Sequence, residues 1–179
     1  MEYIKNRFYE KASRCSAEFQ RIRKEHGDVV LGQVTIDQVL SGMKGIPALL
    51  TETSKLDANE GIRFRGYSIQ ELQQKLPKLH EDGEPLPEGL FYLMMIGEIP
   101  DKEDVINISK DWATRAHVPQ HVFDVIDALP KNSRPMTQFS AAIISMAYDS
   151  VFQKAYRAGV NKKFYWDFMY EDVMTLIAR

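Results

Sequence analysis

Apolar residues recur at three- and four-residue spacing along most of this chain and alternate with polar ones only in short runs. Ile4, Phe8, Ala12, Cys15, Phe19 and Ile22 form a narrow stripe, which predicts a long charged helix over 3–25 suited to lying across a partner or a second subunit. His26, Gly27 and Asp28 end it. Residues 29–35 (VVLGQVT) are β-prone, with Gly32 as a bulge or close-approach point. Thr35 and Asp37 open a short helix through Leu40, and Gly42, Gly45 and Pro47 punctuate the loop after it. Residues 48–51 read as a second short strand, able to pair with the alternating Ile62, Arg63, Phe64 and Arg65.

The stretch from Leu56 to Lys78 is the most densely signposted. Asp57, Asn59 and Gly61 are turn formers, and Gly66 breaks the alternating run. Ser68 and Glu71 have the spacing of a capping box, in which each side chain meets an orphan amide of the first helical turn. Ile69, Leu72 and Leu76 give the helix an apolar face, and Pro77 stops it. Two arginines beside a helix start could hold an anion; the plainer alternative is a surface hairpin with two solvated arginines.

From Pro87 onward helices dominate. Pro87 opens PEGLFYLMMIG, apolar on nearly every side and therefore expected to be fully buried, with Gly97 and Pro100 closing it. Asp101 and Asp104 start a helix with Val105, Ile108 and Trp112 on one face. Pro119 starts another, turning Val122, Val125 or Ile126, and Leu129 inward before Pro130. Pro135 starts a third, whose Ser140, Ala141, Ala142, Ser145 and Ala147 let a neighbouring helix approach closely. A short helix over 152–158 ends at Gly159. Asn161 caps the last helix, with Phe164, Phe168, Val173, Leu176 and Ile177 as its apolar face. The aromatic cluster of Phe164, Tyr165, Trp166, Phe168 and Tyr170 covers too much of that helix for one core face, which argues for a second packing surface. No stop signal follows Ile177, so the expectation is a chain cut within a helix.

Composition narrows the classes. A net charge of −2 gives no global basic field for nucleic acid or an anionic membrane, and no apolar run approaches spanning length. The single cysteine, Cys15, excludes an internal disulfide and a multi-cysteine metal site, and reads as a passive thiol on a helix. No glycine-rich phosphate loop, metal-ligand cluster or nucleophile with an adjacent base is present in the sequence. His26, His80, His117 and His121 read as solvated or structural, Glu81–Asp82 as a solvated loop, and Glu171 and Asp172 as neighbours pointing apart rather than a dyad.

Several strings carry a family likeness. EGIRFRGYSI (60–69) and EPLPEGLFYLMMIGEIP (84–100) closely resemble citrate synthase of the mitochondrial, eukaryotic type. The likeness continues through HGDVVLGQVTIDQV (26–39), PMTQFSAAI (135–143) and KKFYWDFMYEDVMTLIA (162–178), beginning near Glu18. It implies a mainly α, citrate-synthase-like helical fold, the N-terminal part of a large domain, with a minor antiparallel β element. Residues 1–27 would form an arm and 28–179 a partial large domain truncated within a helix. The implied activity is condensation of acetyl-CoA, oxaloacetate and water to citrate and CoA, the first step of the tricarboxylic acid cycle, without a cofactor beyond that substrate.

The family chain is much longer, and its two catalytic histidines and aspartate lie in the portion not represented here. No catalytic residue is therefore assigned, and the chain alone is expected to be inactive. The likeness carries over only peripheral groups. Where the family has an arginine on a CoA phosphate in a GMRG string, this chain has Lys44, which keeps the charge and loses the bidentate fork. Lys162 and Lys163 stand where a basic pair plays a similar part. Arg63 and Arg65 read as structural, pairing with carboxylates near a subunit boundary. The expected partners are a second copy or a larger protein assembly, and the expected location is the mitochondrial matrix, although the basic, amphipathic start makes a poor transit peptide. A second reading keeps the fold without the activity: a non-catalytic citrate-synthase-like subunit of a larger mitochondrial assembly.

Overall fold

The computed structural model describes residues 2–179, with side chains from Tyr3 onward; Met1, at the head of the basic start, lies outside the described residues. The elements are α1 (Glu2–His26), α2 (Ile36–Leu40), β1 (Ser54–Asp57), β2 (Gly61–Phe64), β3 (Tyr67–Ser68), α3 (Ile69–Lys75), α4 (Pro87–Ile96), α5 (Lys102–Arg115), α6 (Gln120–Asp127), α7 (Pro135–Met146), α8 (Val151–Arg157) and α9 (Tyr165–Ala178). Single 3-10 turns lie at Ala147–Asp149 and Lys162–Phe164. The fold is mainly α with one small antiparallel sheet. The chain forms two compact units, Met1–Ile106 and Asn107–Arg179, with the boundary inside α5.

In the first unit the sheet has the order β1-β2-β3, with Lys55 opposite Arg63 and Phe64 opposite Tyr67. Its position differs from expectation, because residues 29–35 and 48–51 are not strands and Val30 stays 81% exposed. The Asp57 turn decides this. Its Oδ1 accepts from the Asn59 N–H at 2.9 Å and the Glu60 N–H at 3.2 Å, and Gly61 takes φ +86°. That turn pairs Ser54–Asp57 with Gly61–Phe64, so the hairpin closes locally. Strand propensity becomes a strand only where an edge is in reach.

β3 runs straight into α3 through the expected capping box. Glu71 N–H donates to Ser68 Oγ at 3.3 Å, and Ser68 N–H to Glu71 Oε2 at 2.7 Å. Leu72, Leu76 and Leu93 form a core with Phe64, Tyr67, Leu90 and Ile99 against it, while Ile69 faces outward. Gly97, at φ +86°, ends α4. α4 is not buried all round: Tyr92, Leu93 and Ile96 are buried, but Leu90, Phe91, Met94 and Met95 are half-buried, because the neighbours in this unit do not enclose it. α1 docks by its first turns, with Ile4 buried and Arg7 reaching Tyr92 and Glu98; Phe19 and Ile22 stay exposed. Asp101 and Asp104 cap α5 reciprocally, at 2.8 and 3.2 Å.

In the second unit α6 packs on α7 and α8 on α9. His121 Nε2 lies 3.2 Å from the Ser145 carbonyl, and Val122 is buried. α9 buries Tyr170 and Met174, whereas Phe164, Val173, Leu176 and Ile177 of the expected face are exposed. A helix apolar on several sides has its buried face chosen by whichever neighbour is present. No helix of the described residues is long and apolar enough to cross a membrane.

Candidate functional site

Lys44 sits in a tight turn after α2. Thr35 and Gln38 cap that helix reciprocally, the Met43 N–H donates to the Gln38 carbonyl at 2.7 Å, and the Ile46 N–H to the Met43 carbonyl at 3.2 Å. Gly42, Met43 and Gly45 all take positive φ, at +71°, +63° and +75°, which holds a non-glycine residue in a strained conformation directly before Lys44. Lys44 itself is exposed.

Lys162 and Lys163 stand on the 3-10 turn between α8 and α9. Asn161 Oδ1 accepts from the Lys163 N–H at 3.1 Å, and its carbonyl from the Phe164 N–H at 2.9 Å. The Lys163 ammonium lies 4.7 Å from the Phe164 ring centroid, and both lysines are exposed. Lys44 belongs to the first unit and the lysine pair to the second.

Both arginines of the hairpin are internally engaged. Arg63 Nε donates to Glu60 Oε2 at 3.0 Å, and its Nη1 donates to the Gly66 carbonyl at 3.0 Å and lies 3.7 Å from Glu71 Oε2. The start of α3 is thus filled by Glu71, whose carboxyl is held below the usual range chiefly by the Ser68 N–H. Arg65, at φ +49°, donates from Nε and Nη2 to the Met94 carbonyl at 3.2 and 2.7 Å and reaches Glu52 at 3.5 Å. Its guanidinium therefore closes the carbonyl end of α4. The Cys15 thiol lies 3.6 Å from Glu52 Oε2 on the face of α1.

One cluster escaped the sequence reading. Arg115 Nε donates to Asp111 Oδ1 at 2.8 Å, and its Nη1 to Glu171 Oε2 at 2.8 Å and Thr175 Oγ1 at 3.3 Å. Burial lowers the Arg115 pKa, but its hydrogen bonds to Asp111 and Glu171 outweigh this and raise it overall. Burial, with the Asp111 and Glu171 charges, pushes the nearby Tyr170 phenol up to about 12. Arg115, Glu171 and Thr175 border a cavity of about 460 Å³ floored by Ile143, Met146 and Leu176. The only sequence signal was the four-residue spacing of Asp111 and Arg115. Glu171 and Asp172 do point apart: Glu171 meets Arg115, and Asp172 meets the start of α8. No group of three or more His, Cys, Asp or Glu among the described residues could hold a metal.

The family model described as "Citrate synthase, C-terminal domain" matches residues 42–179. A "Probable citrate synthase, mitochondrial" of Glossina morsitans morsitans is 51% identical over 171 residues, covering 94% of this chain and 37% of the relative. "Citrate synthase 4, mitochondrial" of Arabidopsis thaliana is 47% identical, and "Citrate synthase, mitochondrial" of Aspergillus niger 46% identical, each over 98% of this chain and 37% of its own length. This chain belongs to the citrate synthase family. It spans little more than a third of the length of these relatives. The likeness also reaches back well before Glu18, since it covers 98% of the chain.

Proposed function

We propose that these residues are one part of a citrate synthase, which condenses acetyl-CoA with oxaloacetate to give citrate and CoA. The observation that carries this is the family match across 42–179. The reaction needs a base for the acetyl methyl proton, a donor for the developing enolate oxygen, and cations for the oxaloacetate carboxylates. The carboxylates described above are committed to structure: buried Asp111 and half-buried Glu171 to Arg115, and buried Asp104 to the cap of α5. On this reading the base and the oxyanion donor are supplied by the part of a citrate synthase that these 179 residues, about a third of the relatives' length, do not span.

The part assigned to this chain is scaffold, subunit contact and an edge of the CoA site. Lys44, Lys162 and Lys163 are exposed cations free to meet CoA phosphates of a site completed elsewhere. Arg63 and Arg65 brace the hairpin near a subunit boundary. Residues 1–27 serve as an arm. Exposed Met136, Phe139 and Ile144 on α7, with Leu176 and Ile177 on α9, supply apolar surface for a second copy in a homodimer or larger assembly. The relatives' names support a mitochondrial location, and the matrix is the compartment proposed.

The test is CoA thiol release by the purified 179-residue chain with both substrates. No turnover is expected. Turnover requiring both acetyl-CoA and oxaloacetate, and lost on substitution within this chain, would overturn the assignment of catalysis to other sequence.

A further inference from the structure

The α8–α9 hairpin is fastened at its base by a carboxylate of α9, with the Arg179 Nη1–Asp149 Oδ2 ion pair, at 3.2 Å, tying the same end. Asp172, two turns into α9, accepts from Ser150 Oγ at 2.6 Å, from the Val151 N–H at 2.9 Å and from the Phe152 N–H at 3.1 Å. It thus supplies from a neighbouring helix the partners that the first turn of α8 lacks within itself. Ser150 Oγ adds the Gln153 N–H at 2.9 Å. Above this base the two helices are joined by rings: Phe152 meets Tyr165 edge-on at 5.1 Å between centroids, and Tyr156 lies 6.1 Å from Tyr165. The return is equally determined. Gly159 takes φ +73°, the Val160 N–H donates to the Ala155 carbonyl at 3.1 Å, and Asn161 caps the turn that carries Lys162 and Lys163.

We infer that Asp172 is a positioning residue for Lys162 and Lys163. It acts through α8, fixing the base of the hairpin so that its tip holds the two ammonium groups in one place. This rests on the reading of those lysines as CoA-phosphate contacts. A supporting shell of this kind matters because lysine is a flexible point charge and gains directional definition only from the backbone that carries it. None of Ser150, Phe152, Tyr165 and Asp172 is a ligand candidate, yet all four join α8 to α9, the two helices that carry the segment between them.

The experiment uses the full chain with Asp172→Ala, Asp172→Asn and Lys162→Gln/Lys163→Gln. Residue-level hydrogen exchange and CoA binding at low ionic strength are measured on each. Removing the carboxylate is expected to speed exchange at the Val151 and Phe152 amides and also at the Lys163 and Phe164 amides of the tip. It is also expected to weaken CoA binding roughly tenfold, the low end of what removing the supporting partners of a metal site costs. Asp172→Asn, which keeps one acceptor oxygen, should give an intermediate effect and serves if the alanine variant does not fold. Faster exchange confined to 151–153, with CoA binding intact while the double lysine variant loses it, overturns the positioning role and leaves the lysine reading standing. Exchange at the Lys163 and Phe164 amides that Asp172→Ala leaves unchanged overturns the positioning role whether or not the chain alone binds CoA; CoA binding that the double lysine variant does not change overturns the lysine reading and the role of Asp172 with it.

Discussion

Arg115→Met tests the buried ion cluster most directly. Methionine keeps an unbranched apolar stem and removes the guanidinium. The Arg115 side chain is 15% exposed and that of Asp111 only 6%, so the substitution strands a desolvated carboxylate. Breaking a buried pair by removing one partner costs roughly 3–5 kcal/mol. Glu171 is one-third exposed, so water takes over its share of the interaction and little is added from that side. The expected loss is therefore at the lower end, about 3 kcal/mol. Arg115→Met/Asp111→Asn removes the stranded charge as well. It should recover most of the loss, leaving about 1 kcal/mol for the missing hydrogen bonds. Urea unfolding followed by tryptophan fluorescence is the assay, since Trp112 and Trp166 both lie in the second unit and report on it. A single variant that loses less than about 1 kcal/mol, or a double variant as unstable as the single, would refute the argument, because the carboxylate would then not need its partner.

Acid should unfasten the first unit at its turn and cap carboxylates. Asp57 is held below the usual range first by the Asn59 and Glu60 amides, and Glu71 by Ser68, so both have lower pKa values folded than unfolded. Their contribution is present above the unfolded carboxylate range and lost as pH falls through the folded values; the urea midpoint should drop as pH falls from about 5 through and below the ordinary carboxylate range. Asp57→Asn/Glu71→Gln should flatten that slope, and an unchanged slope would show that other groups carry it. Two glycines make a paired test of backbone conformation. Gly66, at φ +88° with open space around it, should cost about 1 kcal/mol on change to alanine, whereas Gly32→Ala, without a positive φ, should be neutral or gain up to about 0.5 kcal/mol. Equal effects in thermal unfolding would remove conformational strain as the cause.

What the sequence determined by itself is local. The capping boxes of Thr35 with Gln38 and Ser68 with Glu71 formed as read, because both partners lie within one turn and no distant residue is needed. Helix starts at Pro87 and Pro135 and the stops at Gly97 and Gly159 followed for the same reason: they depend on one residue's ring or its freedom at positive φ. The family likeness was equally legible, being carried by contiguous strings. Tertiary structure alone decided the rest. Residues 29–35 had the propensity for a strand but pair with no edge of the sheet, whereas the Asp57 turn returns Gly61–Phe64 directly onto Ser54–Asp57. α9 had more apolar faces than one core could take, and the fold buried Tyr170, beside Asp111 and Arg115 of α5, and Met174 rather than the face predicted. Arg115 joins residues 56 and 60 positions away, and Asp172 reaches residues about twenty positions back. Side-chain chemistry names what each of these groups could bind, but only the folded backbone brings the partner within hydrogen-bond range.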